Sequence, residues 1–365
     1  LPISVNVAQP EAKVSGKTRA YMRDGVSLTA QSLTVEAGEE VNDDPSDTLG
    51  RVTYNATATT FLLTLAGIAS VSELKANALV DGDVDAYIGA PADGPVTGGA
   101  GVIDVAGAVT VDAWSAMDAS GGLDNGGFSV SGSGVATINV FDTVADVAGD
   151  TRAYVGQGGS LEAATLDVRA DGDYDANADT VAVAVSGLVS ASDVEATARV
   201  TGTVDAHVGS AFDQTPSGNL GIVDIDGNID ITAIGNMLAT PDILNVGVAG
   251  LATLSLLNQT AEITGAVRGY IGQGVDMDAA NVSILADAPE MKADIQAQSF
   301  TGAGLVDGSS VTSNATVDGT VEAFIGAGSG LVASNVTTDV DVNNGNIDVV
   351  ADSNMQAEAN LTGAG

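Results

Sequence analysis

The 365 residues would fill two or three ordinary domains, but 46 are glycine and only 4% are aromatic, and the apolar share is Ala and Val rather than Leu and Phe. That excludes a thick core of large side chains and suits narrow, stacked β-layers. The formal charge of −37, from 48 Asp and Glu against 11 Lys and Arg, argues against nucleic acid and anionic lipid as partners, and the absence of Cys excludes thiol chemistry.

The first predicted strand is Ile3-Ser4-Val5-Asn6-Val7, and the motif Ala20-Tyr21-Met22 follows it. Next comes an alternating segment carrying Leu28, Leu33, Val35 and Ala37, and then a second copy of the motif, Ala86-Tyr87-Ile88 with Gly89. A strand Val109-Thr110-Val111 running to Met117 completes a module over residues 1–133. The second module, 134–249, repeats the order: Ala136-Thr137-Ile138-Asn139-Val140, Ala153-Tyr154-Val155-Gly156, Leu161 to Ala170, Ala206-His207-Val208-Gly209, and Ile229-Asp230-Ile231 running to Met237. The third, 250–365, gives Ala252 to Leu256, Gly269-Tyr270-Ile271-Gly272, Met277 to Ala286, Ala323-Phe324-Ile325-Gly326, and Ile347-Asp348-Val349 running to Met355.

Strict period-2 alternation between glycine turns, as in Thr180-Val181-Ala182-Val183-Ala184-Val185-Ser186, is the strand signal, and no helical periodicity competes with it. The expected fold is an all-β, elongated repeat architecture, either a β-solenoid or stacked antiparallel sheets or sandwich modules. No apolar run approaches the roughly 18 residues needed to span a bilayer, so no membrane insertion is expected. The segment Leu361-Thr362-Gly363-Ala364-Gly365 resembles the mid-chain Phe300-Thr301-Gly302-Ala303-Gly304, and neither terminus reads as a polar cap. The expected partners are therefore further copies end to end, or the rest of a longer chain.

An enzyme needs a nucleophile with a base, tuned carboxylates or a metal. The only histidine, His207, stands where the other five motifs have Tyr or Phe, which reads as a ring in an aromatic slot and not as a catalytic base. The chain is expected not to be an enzyme. Calcium is the one cofactor the residues suggest, because hard cations gather several oxygens. Asp224, Asp226 and Asp230 lie at alternate positions of one run, and Asp339 and Asp341 repeat part of it.

The residue before each motif alternates in sign: Arg19, Asp85, Arg152, Asp205, Arg268, Glu322. If each repeat supplies one layer, at the roughly 4.8 Å strand spacing, these six form a ladder of opposite charges that fixes register.

Tyr154-Val155-Gly156 with Leu166-Asp167-Val168-Arg169-Ala170, and their equivalents, give an aromatic–aliphatic–Gly motif, a glycine turn and a Leu-x-Val-x-Ala strand. This pattern resembles the repeat-rich secreted proteins of Gram-negative bacteria, the filamentous-haemagglutinin-like and leukotoxin-like filamentous adhesins. The resemblance implies a right-handed parallel β-helix, export to the cell surface or beyond, and work in attachment or matrix building. The expectation is thus a structural segment of an extracellular filament, adhesin or biofilm-matrix fibre, with surface polysaccharide as a further partner. A calcium-dependent surface binding module and a polysaccharide-degrading β-helix are the alternatives.

Overall fold

The computed structural model describes residues 3–38, 52–91, 101–122, 129–212, 214, 221–328, 338–343 and 345–364. They build a two-sheet solenoid of six coils with only parallel pairing. Each coil crosses sheet A, turns, and returns across sheet B. On sheet A the coils contribute, in order, Ile3–Ala8 with Glu11–Arg23, Ala69–Gly89, Ala136–Val147 with Thr151–Val155, Val189–Val200 with Thr203–Val208, Ala252–Ile263 with Ala266–Ile271, and Val306–Val317 with Thr320–Ile325. Each neighbours the next in the sheet, so the coils stack in chain order. Sheet B follows the same order, with Gly159–Ser186 of the third coil flanked by Gly101–Gly122 of the second and Asn228–Ala249 of the fourth. The antiparallel alternative does not occur among the described residues. Nor do helices, so no helix is long and apolar enough to cross a membrane.

The expected module boundaries at 133/134 and 249/250 fall on the turns Gly134-Val135 and Gly250-Leu251, and both sheets run on across them. Small side chains let the sheets lie close. One inner row of sheet A is Ala86, Ala153 and Ala206, all fully buried, flanked by Ala20, Gly269 and Ala323.

The large residues of the interior are confined to a few rows. Tyr54, Met117, Tyr174, Met237, Met291 and Met355 are register partners on sheet B. Opposite them sheet A carries Gly82, Gly149, Gly202, Gly265 and Gly319, each three residues before a member of the charge series. A Cβ on Gly202 would lie 2.9 Å from the Tyr174 ring, and one on Gly265 2.7 Å from the sulfur of Met237. The glycine row is thus the groove that accepts the Tyr and Met row. The phenol of Tyr174 is fully enclosed there, 2.8 Å from Thr151 Oγ1 and donating to the carbonyl of Thr203 at 3.0 Å, and burial pushes its pKa far up.

Gly89, Gly209 and Gly326 have φ near +100°, the left-handed conformation that favours glycine, at the points where the second, fourth and sixth coils leave sheet A for their long insertions.

Candidate functional site

Two ladders run side by side on the outer face of sheet A. The first is aromatic. Tyr21, Tyr87, Tyr154, His207, Tyr270 and Phe324 are register partners in consecutive coils, although 53 to 67 residues separate successive members. Their ring centroids are 5.1, 4.9, 4.8, 4.7 and 4.7 Å apart in that order, and no interplanar angle exceeds 9°. The strand spacing sets this separation, and each stacked pair contributes about 0.5–1.5 kcal/mol beyond burial.

Phe212, from the insertion of the fourth coil, lies edge-on to Tyr270 and Phe324 at 6.5 and 6.1 Å. Its backbone N–H donates to the Tyr270 hydroxyl at 2.8 Å, and the Arg268 guanidinium sits 4.1 Å from its ring centre. Neither Phe212 nor the glycine row stood out in the sequence as functional. The glycines were readable from their constant offset from the charge series, whereas Phe212 belongs to no repeat.

His207 lies between the Tyr154 and Tyr270 rings and is fully buried. Burial first, and the charge of Arg152 second, hold its pKa down at about 3. The imidazole is neutral at physiological pH and serves as one more flat ring.

The second ladder is ionic and sits two residues back along each strand. Asp85, with its side chain 3% exposed, is held between two guanidiniums: Arg19 Nε donates to Oδ2 at 2.8 Å and Arg152 Nε to Oδ1 at 2.9 Å. Arg152 also meets Asp83 at 3.4 Å and Asp150 at 3.7 Å. Burial works against its charge, but Asp85, Asp150 and Asp83 outweigh that and raise its pKa. Asp150 responds in the opposite sense: burial raises its pKa while Arg152 lowers it. Asp205 is the register partner of both Arg152 and Arg268. Arg268 approaches Asp205 to 3.7 Å and Glu322 to 3.5 Å. The six residues thus occupy one row, in alternating sign along the rod.

The carboxylates considered for calcium are distributed differently. The run from Asp224 to Asp230 is two strands, Gly221–Ile225 and Asn228–Ala249, separated by a bend at Asp226-Gly227. Asp224 stacks in register with Glu162 and Asp278, and the row continues to Asp104 on one side and Asp341 on the other. Asp230 belongs to a separate row beside Asp167, whose pKa is raised by burial and then by Asp230. Asp339 lies in a third row, beside Asp276. Among the described residues no three of these groups converge as a ligand set; within each row they stand single file, one per coil.

No protein-family profile, no curated protein and no solved structure matches this chain.

Proposed function

We propose that the chain is a mechanical element: a segment of an extracellular surface fibre, adhesin stalk or biofilm-matrix filament, made to be long and held in register. The observation that carries this reading is the pair of ladders through all six coils. An uninterrupted ring stack and an alternating ionic row hold neighbouring coils in register, because a slip along the strands parts each ring and each charge from its partner. The outer edges of the first and sixth coils are complementary in charge and ring position. The first coil presents Arg19 with Tyr21, whose ring is half exposed, and the sixth presents Glu322 and Phe324. Set on Glu322 and Phe324, a second Arg19 and Tyr21 extend both ladders by one step with the correct sign. Unpaired strand edges recruit such a neighbour from another copy.

Sedimentation velocity from micromolar to high concentration tests this. A sedimentation coefficient that rises with concentration supports end-to-end stacking, and its abolition by Phe324→Asp places the contact at the ladder. A single species of one copy at every concentration contradicts it.

A further inference from the structure

Along one long edge of the rod the solenoid is inside out. That edge is where each coil passes from sheet B to the next strand of sheet A, through Gly67-Ile68, Gly134-Val135, Gly187-Leu188, Gly250-Leu251 and Gly304-Leu305. Across most of each coil the inner rows are apolar, as in Leu74, Phe141, Val194 and Leu257, and the outer rows carry charge. Next to these turns the order reverses, within three residues on sheet A and four on sheet B. Ser70, Thr137, Ser190 and Thr253 form a fully enclosed inner row, while Val5, Ile138 and Leu254 face outward in the adjacent one. Sheet B does the same, with Leu65, Val185 and Val248 outside. The turn itself is apolar: Leu188 and Leu251 are each 40% exposed and Leu305 78%.

Some of the enclosed hydroxyls and amides bond across from sheet to sheet, while others, including Ser190 Oγ and Ser192 Oγ, have no hydrogen-bond partner among the described residues. Ser72 Oγ donates to Thr64 Oγ1 at 2.8 Å, Asn245 Nδ2 to Ser255 Oγ at 3.0 Å, and Thr137 Oγ1 to the Val185 carbonyl at 3.1 Å. Small polar residues inside and branched apolar ones outside make a thin blade. This arrangement gives up hydrophobic burial during folding in every coil, and the loss is recovered only where the outer faces meet an apolar environment.

We infer that this edge is an adhesive blade that embeds in an extended, uncharged hydrocarbon surface. The inference rests on reading the chain as a surface fibre and names what that fibre attaches to. Three features select this partner. The apolar surface covers both faces and the tip, so a second copy docked on one face leaves the others wet. Directly behind the blade lie Glu73, Asp142, Asp193 and Glu195 on sheet A and Asp179 and Asp242 on sheet B, with Lys75 the one cation in that border among the described residues. A lipid headgroup layer calls for the reverse, a belt of Trp and Tyr with Lys and Arg facing the phosphates. Finally, six coils spaced at about 4.8 Å give an edge roughly 25 Å long, which suits a continuous surface and not a single small ligand.

Partitioning into a hexadecane-in-water emulsion tests the inference, comparing the wild-type chain with the triple variant Val185→Thr/Leu188→Ser/Leu251→Ser. All three sites are exposed, so the fold is retained, and melting curves together with electron micrographs of the rods check that separately. The expected result is adsorption reduced about tenfold or more, from the loss of three buried apolar side chains, with rods and melting unchanged. Equal adsorption of the two proteins overturns the inference. So does flotation of the wild type with phosphatidylcholine vesicles in preference to hexadecane, or a lateral dimer that the triple substitution dissolves. Loss of rods in the wild type counts against the fibre reading instead and is read from the micrographs alone.

Discussion

Arg152 donates through Nε to Oδ1 of Asp85 at 2.9 Å, across 67 residues of chain and one step of the solenoid. The same carboxylate takes Arg19 from the other side, so removing it takes one ion-pair partner from each of two partly buried guanidiniums at once. Asp85→Ala is expected to cost about 2–4 kcal/mol, read as a lower urea midpoint, and Asp85→Asn most of that. Loss below about 0.5 kcal/mol, the level of an exposed pair, contradicts the ladder's structural role.

The glycine groove gives a paired test within one row. A Cβ on Gly202 meets the Gly149 carbonyl at 2.1 Å and the Tyr174 ring at 2.9 Å, whereas one on Gly16 has nothing within 4 Å. Gly202→Ala should destabilise by about 2–3 kcal/mol through forced shifts in a packed interior. Gly16→Ala should be neutral or stabilising by up to about 1 kcal/mol, because it restricts the unfolded chain. Equal effects at the two sites would mean that the Tyr and Met row does not fill the groove.

His207 should make stability depend on pH. With a folded-state pKa near 3, against 6.5 for the free side chain, the unfolded chain binds the extra proton between those values. The contribution of the neutral ring is complete above pH 6.5 and is lost as pH falls toward 3. Asp146, Asp150 and Asp242, raised chiefly by burial, act in the opposite sense, since the folded state takes up their protons first. The difference between wild type and His207→Phe isolates the imidazole. The Phe variant should gain about 2–3 kcal/mol relative to wild type between pH 7.5 and 4.5. A pH-independent difference would show that the ring is not held neutral by the stack.

The acidic row is expected to be repulsive. Glu162 lies between Asp104 and Asp224 in register, so Glu162→Gln should raise the melting midpoint, and added sodium chloride should raise that of the wild type. Calcium at matched ionic strength distinguishes screening from coordination. A midpoint that rises with calcium but not with magnesium supports the calcium reading of Asp224 and Asp341.

The all-β class was legible because period-2 alternation and glycine turns survive even where coil lengths differ, whereas alternation does not set strand direction. The rings of Tyr21 to Phe324 share a phase that spacing alone obscures, since the second, fourth and sixth coils carry insertions after Gly89, Gly209 and Gly326. Alternation does not say which face is inside. Val183 and Val185 look like core residues in sequence, but the opposing strand supplies Ser255 and Thr253 to the interior, so the valines lie outward. The run Asp224, Asp226, Asp230 looked like one face of one strand. The bend at Asp226-Gly227 divides it into two strands, and the stacked neighbours of Asp224 come from other coils, beyond the reach of any local pattern.

Electron cryomicroscopy of the concentrated protein tests the central claim most directly, that one repeat makes one coil and that coils continue from copy to copy. Unbranched rods with an axial repeat of about 4.8 Å, running unbroken past the length of six coils, are the predicted result. Discrete particles one copy long, or strands lying along the particle axis instead of across it, would contradict the account.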